Sequence, residues 1–554
     1  MAVNRALMLR VATHVAVWLP FLAAVAGSMR FTWRVVGDGA GVASRSWSAL
    51  TAQGPLLGSA TQLGHGLHDP GPLEFWLLAI PVHADPVRGV LWGAALWCMA
   101  AGSVAIEAAW SVLGQIGGVL ASGTVLWTVA WRPGIIIMPY WNPWFGTMFF
   151  LAALAAGWAV MSGRRWWWPV LVITASVATQ AHLMFALAAA AVVLLALITG
   201  LADASWGNTG YRWAAAGLVA GIACWAAPFI QQFTGPGPGN LSALVHGQGT
   251  GQRTGLIFAL KTLTASTEPP PLWLLARQQP DVARLIDARP AVFAVALLGV
   301  TAAALLLAVF QLRSRPLARL AALSLLASAA ALVTFSRIPL KGDSLSRLDY
   351  LVTVMFPVGL LAWLTVGPAL VLTGRLAINQ LPPLAPGRAV PHGGRPEAAR
   401  DWARRAARIA GAAAAPLIVL ASWLGVVQRT PALLYDAPLV QAVNASFQQI
   451  DQQLPSQPMA LSVVGANSHA RHRLTAALGW ALTSDGYQLE PSARSAGRQL
   501  PHVTVLLRGN TIAVDVTNTA ASHTEGPGRA FPTDFPAAVS PPVRTPQHAH
   551  THGI

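Results

Sequence analysis

Long apolar runs separated by short polar segments extend over most of the chain. Eleven of these runs have the length, about 20 residues, at which a helix crosses the hydrocarbon core of a bilayer. They lack the period-two alternation of a membrane barrel, so they predict membrane-spanning helices. The predicted spans are 11–29, 87–110, 114–131, 144–162, 167–181, 183–201, 213–230, 290–311, 317–336, 350–373 and 409–427.

A different pattern begins after residue 428. Segments 439–454 and 472–485 have helical spacing, and 459–464 alternates as a strand does. Two further strand-like runs, 502–508 and 511–516, are joined by a turn that contains Gly and Asn, which is typical of a hairpin.

The chain is therefore predicted to be an α-helical polytopic membrane protein with a small C-terminal α/β domain. The transmembrane domain covers 1–428, and its first outer loop is 29–86. The external α/β domain covers 429–517. The remainder, 518–554, is rich in Pro, Thr and His and is predicted to be disordered.

Composition and charge agree with a membrane location. Charged residues make up 10% of the chain, against ~25% in typical soluble domains, and the mean hydropathy is +0.52. The net charge of +16 comes mainly from Arg in short loops, so it indicates topology and not a nucleic-acid partner. The positive-inside tendency predicts a cytoplasmic N-terminus and an extracytoplasmic C-terminal domain. Both cysteines lie in apolar runs, which indicates no disulfide or metal framework.

Acidic residues are scarce, yet they gather in the first outer loop. The chain has 20 Asp and Glu residues, and Asp38, Asp69, Glu74 and Asp85 lie in 29–86. Asp38 stands between two glycines, which permit a sharp backbone path and a carboxylate that projects into a cleft. The alternative is a solvated aspartate in a turn.

A base and an acid, His68 and Asp69, precede Pro-Gly-Pro-Leu and a short apolar helix predicted over 72–83. That helix is too short to cross the membrane and is predicted to lie at the interface. The pair is a candidate contact for a substrate head group. The alternative is that Asp69 caps the helix.

Two other predicted outer turns carry polar residues. Asn142 follows aromatic residues that are either an interface belt or a stacking platform for a sugar ring. Gln180 and His182 lie at a tight turn between two spans, where a satisfied hairpin is the alternative.

The predicted outer loop 337–349 departs from the positive-inside tendency. Its cations Arg337, Lys341 and Arg347 are candidates for a lipid-phosphate clamp. The alternative is pairing with the two aspartates of the same loop.

The arrangement resembles the GT-C superfamily of multi-spanning glycosyltransferases that use polyprenyl-phosphate sugars, and in particular its actinobacterial members. The resemblance covers roughly 10–370. It rests on Asp38 and on four short stretches: His68-Asp69-Pro70-Gly71-Pro72-Leu73, Asn142-Pro143-Trp144, Gln180-Ala181-His182 and Pro238-Gly239-Asn240-Leu241.

This resemblance implies a membrane enzyme that moves a hexosyl or pentosyl group from a lipid-linked donor to a cell-envelope glycan, lipid or protein. It implies Asp38 as the general base, His68, Asp69, Asn142, Gln180 and His182 as substrate contacts, and Arg337, Lys341 and Arg347 at the leaving phosphate. Many members have two adjacent acids where Asp38 stands alone, so the departure favours single-carboxylate chemistry. No cofactor is assigned, and a divalent metal is not indicated.

A transporter or flippase for lipid-linked saccharide is the alternative function. Transport favours internal repeats and polar residues near the bilayer midplane. The sequence shows neither clearly, and its informative polar residues gather on one predicted side.

Overall fold

The computed structural model describes most of the helical part of the chain and parts of its C-terminal region. The described residues are 2–29, 33–52, 54–61, 66–131, 134–202, 207–235, 237–246, 252–267, 289–339, 355–380, 437–453, 459–465, 468–485, 489–490, 502–508, 511–517 and 531–532. The predicted span 409–427, the cations Lys341 and Arg347 and nearly all of the predicted tail lie outside them.

The chain forms two compact units. The first consists of 1–31, 45–83 and 91–433, and the second of 32–44, 84–90 and 434–554. Parts of the predicted first outer loop therefore belong to each unit.

Helices make up the described part of the first unit, and two of them begin in segments of the second. They are α1 (Ala2–Ser28), α2 (Asp38–Ser48), α3 (Leu73–Ala84), α4 (Gly89–Leu113), α5 (Gln115–Trp131), α6 (Gly134–Ile137), α7 (Asn142–Met161), α8 (Trp168–Ala181), α9 (Ala186–Ala202), α10 (Gly207–Thr234), α11 (Asn240–His246), α12 (Gly255–Thr267), α13 (Ala291–Phe310), α14 (Arg315–Ser336) and α15 (Met355–Gln380).

Among the described residues, seven helical segments are long and apolar enough to cross a membrane, which agrees with a multi-pass membrane protein. They are Arg5–Ser28, Gly89–Leu113, Asn142–Met161, Leu183–Ala202, Gly210–Thr234, Ala291–Phe310 and Arg315–Ser336. The predicted spans 114–131 and 167–181 correspond to α5 and α8, and the described part of 350–373 belongs to α15. The apolar parts of these helices are shorter than the seven segments above. The predicted interfacial helix is α3.

Helix α7 is the core of the first unit. All but one of its 20 residues are buried, because α8, α9 and α14 pack around it. Its aromatic side chains fill this core, and Phe150 lies 5.3 Å from Phe185 between ring centroids. The packing fixes the first residue of α7, Asn142, at one end of the bundle.

A charged cluster joins α1 to α4. Arg10 Nε donates to Glu107 Oε1 at 2.7 Å, and His14 Nε2 lies 2.8 Å from the same oxygen. Ser103 Oγ accepts from Trp18 at 2.9 Å and lies 3.1 Å from His14 Nδ1. Charged groups are costly in lipid, and this carboxylate is matched by two basic side chains.

The second unit contains an α/β fold with helices α16 (Ala437–Gln453) and α17 (Ser468–Ser484). Its strands are β1 (Met459–Gly465), β2 (Leu489–Glu490), β3 (His502–Arg508), β4 (Thr511–Thr517) and β5 (Phe531–Pro532). The sheet order is β2-β1-β3-β4-β5, with β1 parallel to β2 and β3. Strands β3 and β4 are antiparallel, as the hairpin signal predicts.

Candidate active site

The carboxylate of Asp69 is a junction between three segments of the first unit. Asp69 is 2% exposed. Its Oδ1 accepts the backbone N–H of Leu183 at 2.9 Å, and its Oδ2 accepts from Asn142 Nδ2 at 3.3 Å. The side chain thus holds together the start of α7 and the turn between α8 and α9. None of the described hydrogen bonds of the Asp69 side chain comes from a backbone N–H in the first turn of α3.

Burial is the main influence on the pKa of this carboxylate. Removal from water raises the pKa of Asp69 to about 7, although the bonds from Leu183 and Asn142 and the charge of Arg45 act in the opposite direction. Two neutral donors do not fully replace water around a carboxylate. Asp69 therefore changes its charge near neutral pH, as groups at functional sites often do.

A short backbone ladder holds Asp69 in place. Asp69 N–H donates to Ser59 O at 2.8 Å, and its carbonyl accepts from Gly58 N at 3.1 Å. Thr61 N–H donates to Leu67 O at 2.8 Å in the same ladder. A β-carbon on Gly58 would lie 2.7 Å from Asp69 Cβ, so glycine is required for this approach.

His68 is fixed by a residue distant in sequence. Its backbone N–H donates to Asn240 Oδ1 at 3.0 Å, and Asn240 Nδ2 donates to His68 O at 3.0 Å. Asn240 is buried and begins α11, after Gly237 and Gly239 with φ of 70° and 74°. Positive φ values of this kind favour glycine, and they let the chain turn sharply before α11.

The imidazole of His68 has a defined tautomer. Its Nδ1 lies 3.2 Å from the carbonyl of Gly58, which only accepts, so Nδ1 carries the proton. Burial and the charge of Arg45 lower the pKa of His68. The ring is therefore neutral at pH 7, with a lone pair on Nε2 that accepts a hydrogen bond.

Arg45 supplies the cation of the site. Its guanidinium donates to Gly58 O and lies 5.5 Å from the centroid of the Phe75 ring. Burial lowers the pKa of Arg45 while the charge of Asp69 raises it, and arginine stays protonated at neutral pH. The same carbonyl, Gly58 O, thus ties Arg45 to His68.

Gln180 packs against the segment that carries His68 and Asp69. A β-carbon on Gly71 would lie 2.2 Å from Gln180 Oε1 and 2.7 Å from Pro228 Cγ. Gln180 Nε2 donates to Cys224 O at 2.7 Å. Gln180 therefore joins α8, α10 and residues 69–72, which is a positioning role.

His182 is positioned by the same turn. Its Nδ1 accepts the backbone N–H of Met184 at 3.3 Å, so the ring caps the short 3₁₀ helix Leu183–Phe185. Burial lowers the pKa of His182 to about 4, which keeps the ring neutral.

Glu74 is a second buried carboxyl at the start of α3. It is 3% exposed, and its Oε1 has no hydrogen-bond partner within the described part of the chain. Burial and the nearby charge of Asp69 raise the pKa of Glu74 well above its usual value. The site therefore favours the neutral form of this carboxyl.

The aromatic residues before α7 are largely interior. Tyr140 and Trp144 are buried, and Trp141 and Trp144 have ring centroids 5.0 Å apart. This burial disfavours a lipid-facing belt at Tyr140 and Trp144.

Other predicted site residues lie elsewhere. Asp38 belongs to the second unit, where it is exposed and begins α2 after Gly37, whose φ is 61°. In that unit the guanidinium of Arg34 lies 4.8 Å from the ring centroid of Phe447 in α16. Arg337 is exposed at the end of α14. No group of three His, Cys, Asp or Glu residues within the described ranges has the arrangement of a metal site.

Sequence reasoning did not include two residues of this site. Arg45 was missed, because nothing in the sequence distinguishes it from Arg30 and Arg34 in the same loop. Asn240 was recognised only as part of a motif, because its partner His68 is 172 residues away.

Comparisons with known proteins find likeness among solved structures only. No family model matches, and no curated protein matches. The crystal structure of ArnT from Cupriavidus metallidurans in the apo state has a TM-score of 0.49 and 17% identity over 91% of this chain and 93% of that chain. ArnT from the same organism bound to undecaprenyl phosphate has a TM-score of 0.48 and 17% identity over 90% and 92%.

An archaeal protein matches with a lower TM-score. The oligosaccharyltransferase AglB from Archaeoglobus fulgidus, in complex with an inhibitory peptide and a dolichol-phosphate, has a TM-score of 0.39 and 12% identity over 85% of this chain and 63% of that chain. At this level of similarity the comparison assigns no role to any residue.

Proposed function

We propose that the chain is an integral membrane glycosyltransferase that moves a sugar from a polyprenyl-phosphate donor to an extracytoplasmic cell-envelope acceptor. One observation carries the proposal: the four motifs of the sequence resemblance meet in a single site. His68 is bonded to Asn240, Asp69 to Asn142 and Leu183, and Gln180 packs against Gly71. These residues are far apart in the sequence, so the local structure around each of them does not explain why they lie together.

The charges of the site suit a phosphate leaving group. Arg45 is half-buried and stands next to neutral His68, so part of its charge is not screened by water. In the proposed reaction, the bond between the anomeric carbon and the phosphate oxygen breaks, and its electron pair stays on the polyprenyl phosphate. Arg45 stabilises that developing charge. Arg337, Lys341 and Arg347 remain further candidates for the same task.

The acceptor hydroxyl forms the new bond to the anomeric carbon and loses its proton. Asp38 is proposed to take this proton as general base, which typically contributes ~10²–10⁴-fold to the rate. Asp38 is an exposed residue at the beginning of α2, which supports this role.

The remaining residues position the reactants. His68 Nε2 is proposed to accept a hydrogen bond from a substrate hydroxyl, because Nδ1 is held by Gly58. Asp69, Asn142, Gln180 and His182 keep the surrounding turns in place. A cytoplasmic N-terminus and an external site follow from the arginine distribution of the sequence and belong to the same proposal.

The test is transfer by the purified full chain in lipid, with a panel of polyprenyl-phosphate pentoses and hexoses. Transfer from one of these donors to a cell-envelope glycan supports the proposal. Movement of lipid-linked sugar across the bilayer without bond formation would overturn it in favour of a flippase.

The base assignment has a matched control in the same unit. Asp38→Asn is expected to lower transfer at least ~100-fold without loss of folded protein. Asp85→Asn keeps the acceptor oxygen that receives Val87 N–H and Arg88 N–H at 3.1 and 2.9 Å, and is expected to retain activity. Full activity of Asp38→Asn would remove the general-base role.

A further inference from the structure

An apolar cavity lies between five helices at the end of the bundle away from the candidate site. Helices α4, α5, α7, α14 and α15 line about 970 Å³ of space, part of which is open to the surface. Its walls include Ala109, Ala121, Ala155, Leu317 and Leu361. Along α7, 16 residues separate Asn142 of the candidate site from Trp158 in the cavity wall, which is roughly 24 Å.

Two of the polar groups in the cavity wall have hydrogen-bond partners within the protein. Thr124 Oγ1 donates to Leu120 O at 2.8 Å within its own helix. Trp158 Nε1 donates to Pro316 O at 2.9 Å. These groups have no need of a polar ligand, so the cavity suits a hydrocarbon chain.

Positive charge adjoins this cavity. Ser314 and Pro316 line it, and the exposed side chains Arg313 and Arg315 flank Ser314 in the chain. Segment 311–320 contains no acidic residue. Neither arginine forms an ion pair with another described residue. The start of α14 adds the positive end of the helix dipole.

We propose that this cavity binds one anionic glycerophospholipid of the adjoining leaflet, with an acyl chain between the helices and its phosphate at Arg313 and Arg315. The apolar wall selects a hydrocarbon chain, and the two cations select a negative head group. A polyprenyl donor is the less suitable occupant, because a phosphate held here is about 24 Å from the candidate site. The proposal does not depend on the function proposed above.

The wild-type full chain in neutral detergent is titrated with phosphatidylglycerol, phosphatidylcholine and undecaprenyl phosphate. Native mass spectrometry counts the bound lipid, and thermal unfolding reports its effect on stability. One copy of phosphatidylglycerol is expected to bind at least about tenfold more tightly than phosphatidylcholine and to raise the thermal midpoint.

Two variants separate the acyl-chain site from the phosphate site. Ala155→Phe fills the cavity and is expected to abolish binding of the tight phosphatidylglycerol. Arg313→Gln with Arg315→Gln changes exposed side chains only and is expected to weaken that binding at least about tenfold.

Matched controls use another surface of the same unit. Ala214→Phe alters a separate apolar groove that Trp168 and Leu197 also line, and Arg212→Gln removes an exposed arginine near it. Both controls are expected to bind phosphatidylglycerol as the wild type does.

Three results would overturn the proposal. They are equal binding of phosphatidylcholine, unchanged binding by the double arginine variant, and preferential binding of undecaprenyl phosphate that Ala155→Phe removes. The last result would assign the cavity to a polyprenyl lipid.

Discussion

Two carboxylates in the first unit are held in opposite ways. Glu107 has two basic side chains, Arg10 and His14, on its oxygens. Asp69 is more deeply buried, yet the described hydrogen bonds to its oxygens come from a backbone N–H and an amide. A compensated charge is typical of a link between helices, whereas an incompletely compensated one is typical of a functional site.

Among changes in the first unit, the largest expected effect is that of Asp69→Asn. Each Asp69 oxygen accepts one hydrogen bond, from Leu183 N–H or from Asn142 Nδ2. In Asp69→Asn an NH₂ group replaces one of these oxygens, so two hydrogen-bond donors face each other. Transfer is expected to fall at least ~100-fold. Initial rates of purified protein measure this loss, and comparable loss in Glu107→Gln would break the contrast between the two carboxylates.

The pH dependence sharpens the same contrast. Both Asp69 oxygens accept hydrogen bonds, which the ionised form satisfies best, so transfer is expected to rise as pH increases through about 7. Stability changes in the opposite direction. The pKa of Asp69 is about 7 in the folded chain and 3.8 as its ordinary value. The unfolded chain therefore ionises first as pH rises, so the free energy of unfolding decreases between pH 3.8 and pH 7. Above pH 7 the decrease is complete.

Both pH effects have a direct check. Rate and thermal midpoint are measured from pH 5 to pH 9 in wild type and Asp69→Asn. The changes in rate and in thermal midpoint near pH 7 are expected to be absent from Asp69→Asn. Its persistence there would assign the titration to another group.

The next largest effect is expected for Arg45→Gln. Loss of the cation removes stabilisation of the leaving phosphate, and kcat/KM for the donor is expected to fall roughly 10–100-fold, in the range of a charged hydrogen bond. Arg10→Gln is the matched change in the other cluster and is expected to leave kcat/KM within about twofold. Equal losses in the two variants would contradict separate roles.

A smaller effect is expected for Asn240→Ala. This change removes both hydrogen bonds to the backbone of His68, at about 1 kcal/mol each, and is expected to lower transfer roughly tenfold. Ser242→Ala, two residues along α11, is the control. An Asn240→Ala enzyme with wild-type rates would show that this link does not position His68.

The smallest effect on transfer is expected for Glu107→Gln. Its role as a link between α1 and α4 predicts transfer within about twofold of wild type and a thermal midpoint lowered by roughly 2–4 °C. Scanning calorimetry in detergent gives the midpoint. A tenfold loss of transfer with an unchanged midpoint would overturn the structural assignment.

Elements governed by local patterns were predictable from the sequence. Helix α3 has the apolar composition and the preceding Pro72 that predict it, and the β3–β4 hairpin lies at the predicted turn. The hydropathy of the sequence predicted helices α5 and α8. It did not predict that their apolar parts are short, because helix ends depend on tertiary packing.

The site was only partly predictable. Asn142, Gln180 and His182 were recognised by motif. The contacts of Asn142 and Gln180 with residues 69–71 join segments that are distant in sequence, so they follow from tertiary packing. Arg45 has no distinguishing local pattern, and its importance arises from the shared carbonyl of Gly58. The predicted roles of Asp38 and Arg337 stay predictions.

The His68–Asn240 link also sets an order for biogenesis. The two residues are 172 positions apart, and a ribosome that adds about 5–20 residues each second needs roughly 9–34 s to cover that distance. During this interval the backbone N–H and C=O of His68 lack their native partner. Helices α4 to α10 must be made and inserted before the site can close, so a nascent chain that stalls before α11 carries every acid of the first outer loop and still has no complete site.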